Sequence, residues 1–281
     1  MYSELNLDLQ AFAKRVYDSI LYQSTFYNFL NPNYIGTLRQ TGAPVIEVAK
    51  TNALSVNVRQ TKEIQSALTP ALTTYSHVMV DLTELNMDYS IRVPMMVTGS
   101  DITNAIQDAA DLEDAAIAKQ IDTYGYGVLA DQSMDEVEWA PSTKDEYISL
   151  LNSLRAKLFN KSVDGDYRLG LGAVEYANFV SALTSILKFE TPEGVEGVTM
   201  GEIARVYGIS IFEVNDNVLD GIIGYFFNPI AVVGDTFFSE FVQHNSPQGY
   251  PGYLVLEGTQ SFGAKVVRPE AIVRLVSEIS A

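Results

Sequence analysis

Only two imidazoles, His77 and His244, are available for metal or acid–base chemistry, and they lie far apart in the chain. A hydrolytic zinc site needs histidines spaced so that both rings meet one ion, as in HExxH. Neither histidine has such a partner, and both are expected at the surface. Phosphate cradles need glycines that let backbone amides approach the anion. The nearest candidates, Gly125-Tyr126-Gly127 and Gly170-Leu171-Gly172, do not complete a GxGxxG, so packing or turn roles are expected instead. No GxSxG elbow is present. Carboxylate pairs such as Asp111 with Asp114 and Asp135 with Glu136 could do acid–base work, but in so acidic a chain a solvated face explains them. Asp122 stands apart, because it interrupts small and apolar residues near the end of a long helical pattern. It is expected either to reach an arginine, across a subunit contact, or to be exposed. The residues thus assemble no catalytic site, cofactor site or metal site.

Composition limits what surrounds these residues. The 281 residues are 47% hydrophobic and 19% charged, as in soluble globular proteins. The richest apolar window, residues 221 to 234, contains Asn228 and Pro229 and is too short to span a bilayer. The first ten residues lack a basic region and an apolar core, so they do not read as a signal peptide. There is no cysteine, hence no disulfide. Net charge is −17, from 35 acidic and 18 basic side chains, which argues against a protein that grips phosphates through Lys and Arg.

Residues 6 to 30 repeat apolar side chains at helical spacing (Leu9, Phe12, Val16, Ile20, then Tyr22, Phe26 and Phe29) and stop at Asn31-Pro32-Asn33. So aromatic a segment suits either an internal core or a contact arm. Next, a two-armed strand ribbon is predicted over 43 to 96. Leu54, Val56 and Val58 alternate with polar residues on the way out, and Met87, Tyr89, Ile91 and Val93 alternate on the way back. The inner turn is placed at Lys50 to Ala53, and a polar tip carrying Lys62 at 61 to 76. Arms of about 18 residues at roughly 3.3 Å each would reach about 60 Å. A lone hairpin is marginal in water, so this one is expected to lie against another molecule. From Ile102 a helix of about 30 residues, roughly 45 Å long, is predicted, capped by Ser100 or Asp101. Ile106, Ala109, Ala110, Ala116, Ile117 and Ile121 form its apolar face, with Asp108, Asp111, Glu113 and Asp114 elsewhere. A helix over 142 to 161 capped by Ser142 follows. Beyond it come a strand over 167 to 171, a helix over 174 to 187, a strand over 208 to 214, two strands over 253 to 257 and 263 to 267, and a last apolar stretch over 272 to 279.

This element order resembles the tailed-bacteriophage major capsid protein with the HK97 fold. Three stretches are similar to the family in residues: Ala116 to Asp122, at the end of the spine helix; Ile203 to Ile211 with Asn215, in the axial domain; and Gly258 to Ile272, in the closing part of the peripheral domain. The resemblance implies an α+β fold with an N-terminal arm (1–34) and an extended β loop (35–96). A peripheral domain with the spine helix (97–141 and 252–281) and an α/β axial domain (142–251) complete it. It implies a non-enzymatic shell subunit without cofactors, forming pentamers and hexamers around double-stranded DNA. That DNA would be held by proximity rather than by specific binding. The particle would be a virion assembled in the host cytoplasm, without a membrane. Separate scaffolding, portal and decoration proteins are the further partners, since no long scaffolding segment is expected ahead of the ribbon. The expected inter-subunit contacts are Phe12, Val16, Tyr22, Phe26 and Phe29 in the arm, Leu54, Val56, Val58, Lys62, Tyr89, Ile91 and Val93 in the ribbon, and Asp122. Self-crosslinking through Lys50 or Lys62 is not expected. An encapsulin-like nanocompartment resembles the same fold, but lacks support in the N-terminal segment, since the one tryptophan is Trp139. A hydrolase using two carboxylates would require a deep apolar pocket and a strongly shifted carboxyl group.

Overall fold

The computed structural model describes residues 9–35, 45–51, 75–94, 100–132, 134–183, 202–206, 208–238, 241–245 and 247–278. Two sheets meet at a long helix. Helix α1 (Leu9–Gln23) leads into a 3-10 turn (Phe26–Phe29), and strands β1 (Val45–Thr51) and β2 (Tyr75–Asp81) form an isolated antiparallel pair. Strand β3 (Leu85–Pro94) precedes the long helix α2 (Ser100–Ala130), then β4 (Asp135–Glu138) and helix α3 (Lys144–Asn160). Strand β5 (Tyr167–Gly172), helix α4 (Ala173–Leu183) and strands β6 (Glu202–Val206), β7 (Ile209–Val214) and β8 (Gly224–Phe227) come next. The chain closes with β9 (Val232–Phe238), β10 (Val242–Asn245), β11 (Tyr253–Val266) and β12 (Ile272–Val276).

The four-stranded sheet runs β10-β11-β3, with β9 on the second half of β11; the six-stranded sheet runs β4-β12-β8-β5-β7-β6. These memberships cross the domain limits expected from the sequence. Strands β4 and β12 join the six-stranded sheet, whereas β9 and β10 join the four-stranded one. Each half of the molecule is therefore stitched from both sides of the chain.

The ribbon differs most from its prediction. The returning arm is not β3 but β2, which pairs with β1 in the register Val45↔Asp81 to Thr51↔Tyr75. Lys50 and Thr51 lie within β1 rather than in a turn, while Leu54, Val56, Val58 and Lys62 lie outside the described residues. Strand β3 instead pairs along β11 from Leu85↔Phe262 to Pro94↔Tyr253. Its apolar row of Tyr89, Ile91 and Val93 is buried within the chain, so these three are core residues rather than subunit contacts. Alternation marks a strand with one covered face but does not say which partner covers it. The β1–β2 pair also has one covered face. Ile46, Val48 and Val80 close on Leu82, Val233 and Val267, while Val45 and Met79 point to solvent.

The predicted strands at 253–257 and 263–267 are one strand. The polar run between them, Gly258-Thr259-Gln260-Ser261, looks like a turn, but Gln260 and Ser261 are buried. Gln260 Nε2 donates to Thr236 Oγ1 at 2.8 Å, and Ser261 Oγ to Asn86 Oδ1 at 2.5 Å. With partners supplied by neighbouring strands, burial no longer opposes a continuous ladder.

Helix α2 buries Ile106, Ala110, Asp114, Ile117, Ala118, Ile121, Asp122, Tyr126 and Leu129. Asp114, assigned to the polar side, is fully enclosed, whereas Ala116 is exposed. Ser100 and Asp101 lie inside the helix rather than ahead of it. Helix α3 is capped by Thr143 instead of Ser142. Thr143 and Glu146 form a reciprocal capping box, and Ser142 donates its own amide to Glu146 at 2.7 Å. Helix α4 ends at Leu183, and its predicted continuation to 187 lies outside the described residues.

Two glycines give opposed predictions for the unassembled protein. Gly263 sits where the base of β2 crosses β11, and an added Cβ would lie 2.6 Å from Leu82 Cα. Gly263→Ala is expected to lower unfolding stability by about 2 kcal/mol through overpacking. Gly127 faces open solvent on α2, so Gly127→Ala is expected to raise it by about 1 kcal/mol through helix propensity. Urea denaturation monitored by circular dichroism measures both.

Candidate functional site

The residues expected to act between subunits converge inside the chain. Helix α1 lies along α2 and runs in the same direction, as its contacts advance together: Arg15 with Asp111, Ser19 with Asp114, and Ser24 with Asp122. Phe12 packs edge-on against Phe241 and Tyr89, with ring centroids 5.4 and 6.2 Å away. Val16 is wholly buried. The arm is thus a docked helix of its own subunit, because its apolar face meets α2 and β3 directly.

Asp122 holds the end of this arm. Its Oδ1 accepts from Ser24 Oγ at 2.5 Å and from the Phe26 amide at 2.9 Å. Its Oδ2 accepts from Thr25 Oγ1 at 2.9 Å and from the Thr25 amide at 3.2 Å. These are the orphan donors at the start of the 3-10 turn, so α2 supplies in trans along the chain what a local cap would supply. Burial raises the Asp122 pKa, and the four donors pull it back. Asp122 therefore neither meets an arginine nor lies exposed.

The capped turn places two phenylalanines. Phe26 lies against Gly125, where any Cβ would overlap its ring, and packs edge-on to Tyr126 at 5.5 Å and Phe262 at 6.2 Å. Gly125 thus has the packing role expected for it. Phe29 stacks on Phe227 with centroids 3.8 Å apart and meets Tyr126, Phe212 and Tyr225 edge-on. Both rings are fully buried, which removes Phe26 and Phe29, together with Phe12 and Val16, from the exposed contact surface. Backbone links finish the junction. The Asn31 amide donates to Val232 O at 2.8 Å, and Arg168 Nη1 donates to Asn28 O at 2.7 Å. The turn thereby touches α2, β9 and the six-stranded sheet.

Of the predicted contacts among the described residues, Tyr22 alone stays outside, 66% exposed. Other large apolar side chains at the surface are Leu112 on α2, Phe159 on α3, Val174 on α4, and Val242 and Tyr253 on the four-stranded sheet. The sequence offered no signal for these, since each occupies a position that its element's periodicity leaves ambiguous. Ser24, Thr25 and Asp114 were also missed, because their partners lie 25 or more residues away.

The catalytic candidates remain scattered. His77 pairs with Glu47 at 2.8 Å and His244 with Glu257 at 3.8 Å, both at the surface as expected. A cleft of about 530 Å³ on the four-stranded sheet is lined mainly by polar groups, including Asp88, Ser90, His244, Glu257 and Thr259. Among the described residues no group of three metal-ligating side chains occurs, and no helix is long and apolar enough to cross a membrane. One carboxyl is strongly shifted, as a hydrolase would need, but Asp114 is sealed from solvent.

Asp122→Ala is expected to lower unfolding stability by roughly 3 kcal/mol, since it strands buried amide and hydroxyl donors. A loss below about 1 kcal/mol in chemical denaturation would show that the cap contributes little.

No protein-family model matches the sequence, and no curated protein matches it. Solved structures do. A chain of Mycobacterium phage Che8 is 19% identical, with a TM-score of 0.59 over 92% of this chain and 93% of that one. The capsid of Ralstonia phage GP4 matches at 9% identity and a TM-score of 0.60, covering 83% and 82% of the two chains. A virus-like particle from Pyrococcus furiosus matches at 11% identity and a TM-score of 0.55 over 93% and 96%. Built on a docked arm, a long helix and two interlocked sheets, this chain has the HK97-like fold found in phage capsids.

Proposed function

We propose that this chain is the shell subunit of a tailed-bacteriophage capsid, assembling with copies of itself into pentamers and hexamers around double-stranded DNA. The observation that carries the reading is the likeness, over more than four-fifths of both chains, to the capsid of Ralstonia phage GP4 and to a chain of Mycobacterium phage Che8, at TM-scores of about 0.6. The strand pair β1–β2 agrees with it. Among the described residues this pair joins no larger sheet; it covers one face on its own body and leaves Val45 and Met79 outside. A two-stranded element gains stability by lying on a neighbour. Repeated modest contacts of this kind add up to a strong closed shell.

In this reading the subunit does no chemistry. Scaffolding, portal and decoration proteins are its further partners, and the virion is its final location. Its net charge of −17 keeps packaged DNA from adhering to the wall, provided that acidic groups dominate the inner face. The nanocompartment alternative draws on the Pyrococcus particle, which shares the fold at a lower TM-score.

Expression of the full chain, with light scattering and electron microscopy, tests the proposal. Closed shells of uniform size are expected, alone or with a scaffolding protein. A stable monomer at high concentration that forms no shells with viral partners defeats the proposal. Shells that retain an enzyme and no DNA favour the compartment. Tyr22→Glu is expected to change subunit stability by less than about 0.5 kcal/mol, as surface substitutions do, and to lower the yield of shells in the same micrographs.

A further inference from the structure

Beneath the middle of α1 lies a buried acid that the shell reading does not use. Asp114 projects from α2 and has no exposed surface. Its Oδ1 accepts from Tyr89 Oη of β3 at 3.2 Å and Ser19 of α1 faces the carboxyl group, whereas Oδ2 has no hydrogen-bond partner. Among the described residues the cation acting on this carboxyl group is Arg15 of α1, which pairs with Asp111 at the surface. Asp111 and Glu113 add negative charge from α2 itself. A carboxylate here is short of donors and close to like charges, while a neutral carboxyl group needs less. Of the groups that lower its pKa, Ser19 and Arg15 sit on α1 and Tyr89 on β3.

We propose that the joint between α1 and α2 is a proton-operated latch, in which neutral Asp114 seats α1 as observed and ionised Asp114 loosens it. The direction follows from linkage. Burial raises the seated group from 3.8 to about 6, while Ser19, Tyr89 and Arg15 hold it down in part. A group raised on seating binds its proton more tightly when seated. Seating is therefore strongest below about pH 3.8, weakens as pH rises through about 6, and is level above that. At neutral pH the arm is held by its apolar face and by Asp122, with the Asp114 site opposing. This inference does not depend on shell assembly.

Hydrogen exchange of the full-length unassembled protein tests it, read at amides 11–21 and corrected for the intrinsic rate. Between pH 5 and 7.5, protection in α1 is expected to fall about tenfold, the size that linkage gives for these two pKa values. Amides of α3, remote from the joint, are the internal reference. In Asp114→Asn, which keeps an acceptor for Tyr89, the fall is expected to shrink below about threefold. In Tyr89→Phe, which removes a donor to the carboxylate, the midpoint is expected to move to higher pH. Unchanged protection in the parent protein, a tenfold fall that persists in Asp114→Asn, or a lowered midpoint in Tyr89→Phe would each overturn the latch.

Discussion

The fold depends on one carboxylate meeting the start of one aromatic turn. Asp122 satisfies two backbone amides and two hydroxyls at Ser24 to Phe26, and only then can the turn be buried without orphaned donors. Once it is buried, Phe26 and Phe29 fill the space between α2, the second half of β11 and the six-stranded sheet. A polar contact therefore licenses an apolar one. Hydrophobic burial drives the packing, and the hydrogen bonds fix which residues are packed.

The same logic recurs where the chain buries other polar groups. Asp235 of β9 accepts from Tyr17 at 3.4 Å and from the Thr236 amide at 2.8 Å, so a second acid holds α1 from the sheet side. Gln260, Thr236 and Ser261 link β9 to β11 inside the core. Asp114 is the buried acid left short, with one oxygen unpartnered, as Gln260 Oε1 and the Tyr27 and Tyr225 hydroxyls also are. Among the described residues the buried acids Asp122 and Asp235 are satisfied by several donors, whereas Asp114 meets the Tyr89 hydroxyl where α1 lies on α2.

The four-stranded sheet packs on α2, β1–β2 closes on it through Val233 and Val267, and β12 carries the chain into the other sheet beside β4 and β8. Each sheet joins strands far apart in the sequence, β3 with β9 to β11 in one and β4 with β12 in the other. Among the described residues no strand is shared between the two sheets, and the aromatic turn at Phe26–Phe29 packs between them.

Periodicity alone placed α2, α3, α4, β5 and β7 to within a few residues, because each carries enough repeats to make its period unambiguous, but it ran α1 on to residue 30, past its end at Gln23 and through the 3-10 turn. Composition and missing motifs were equally readable: no cysteine, no paired histidines and no phosphate loop. What letters could not specify was pairing. Alternation in Leu85–Pro94 fits a projecting ribbon as well as an inner strand, and only the ladder to β11 decides between them. Likewise, GTQS reads as a turn until Thr236 and Asn86 arrive to accept its polar groups. Asp122 stood out as an anomaly, yet its partners lie about a hundred residues earlier in the chain. Local spacing reports which face of an element is apolar. The identity of the surface that covers that face is a property of the folded whole, since burial is non-directional and takes whichever complementary surface the topology brings near.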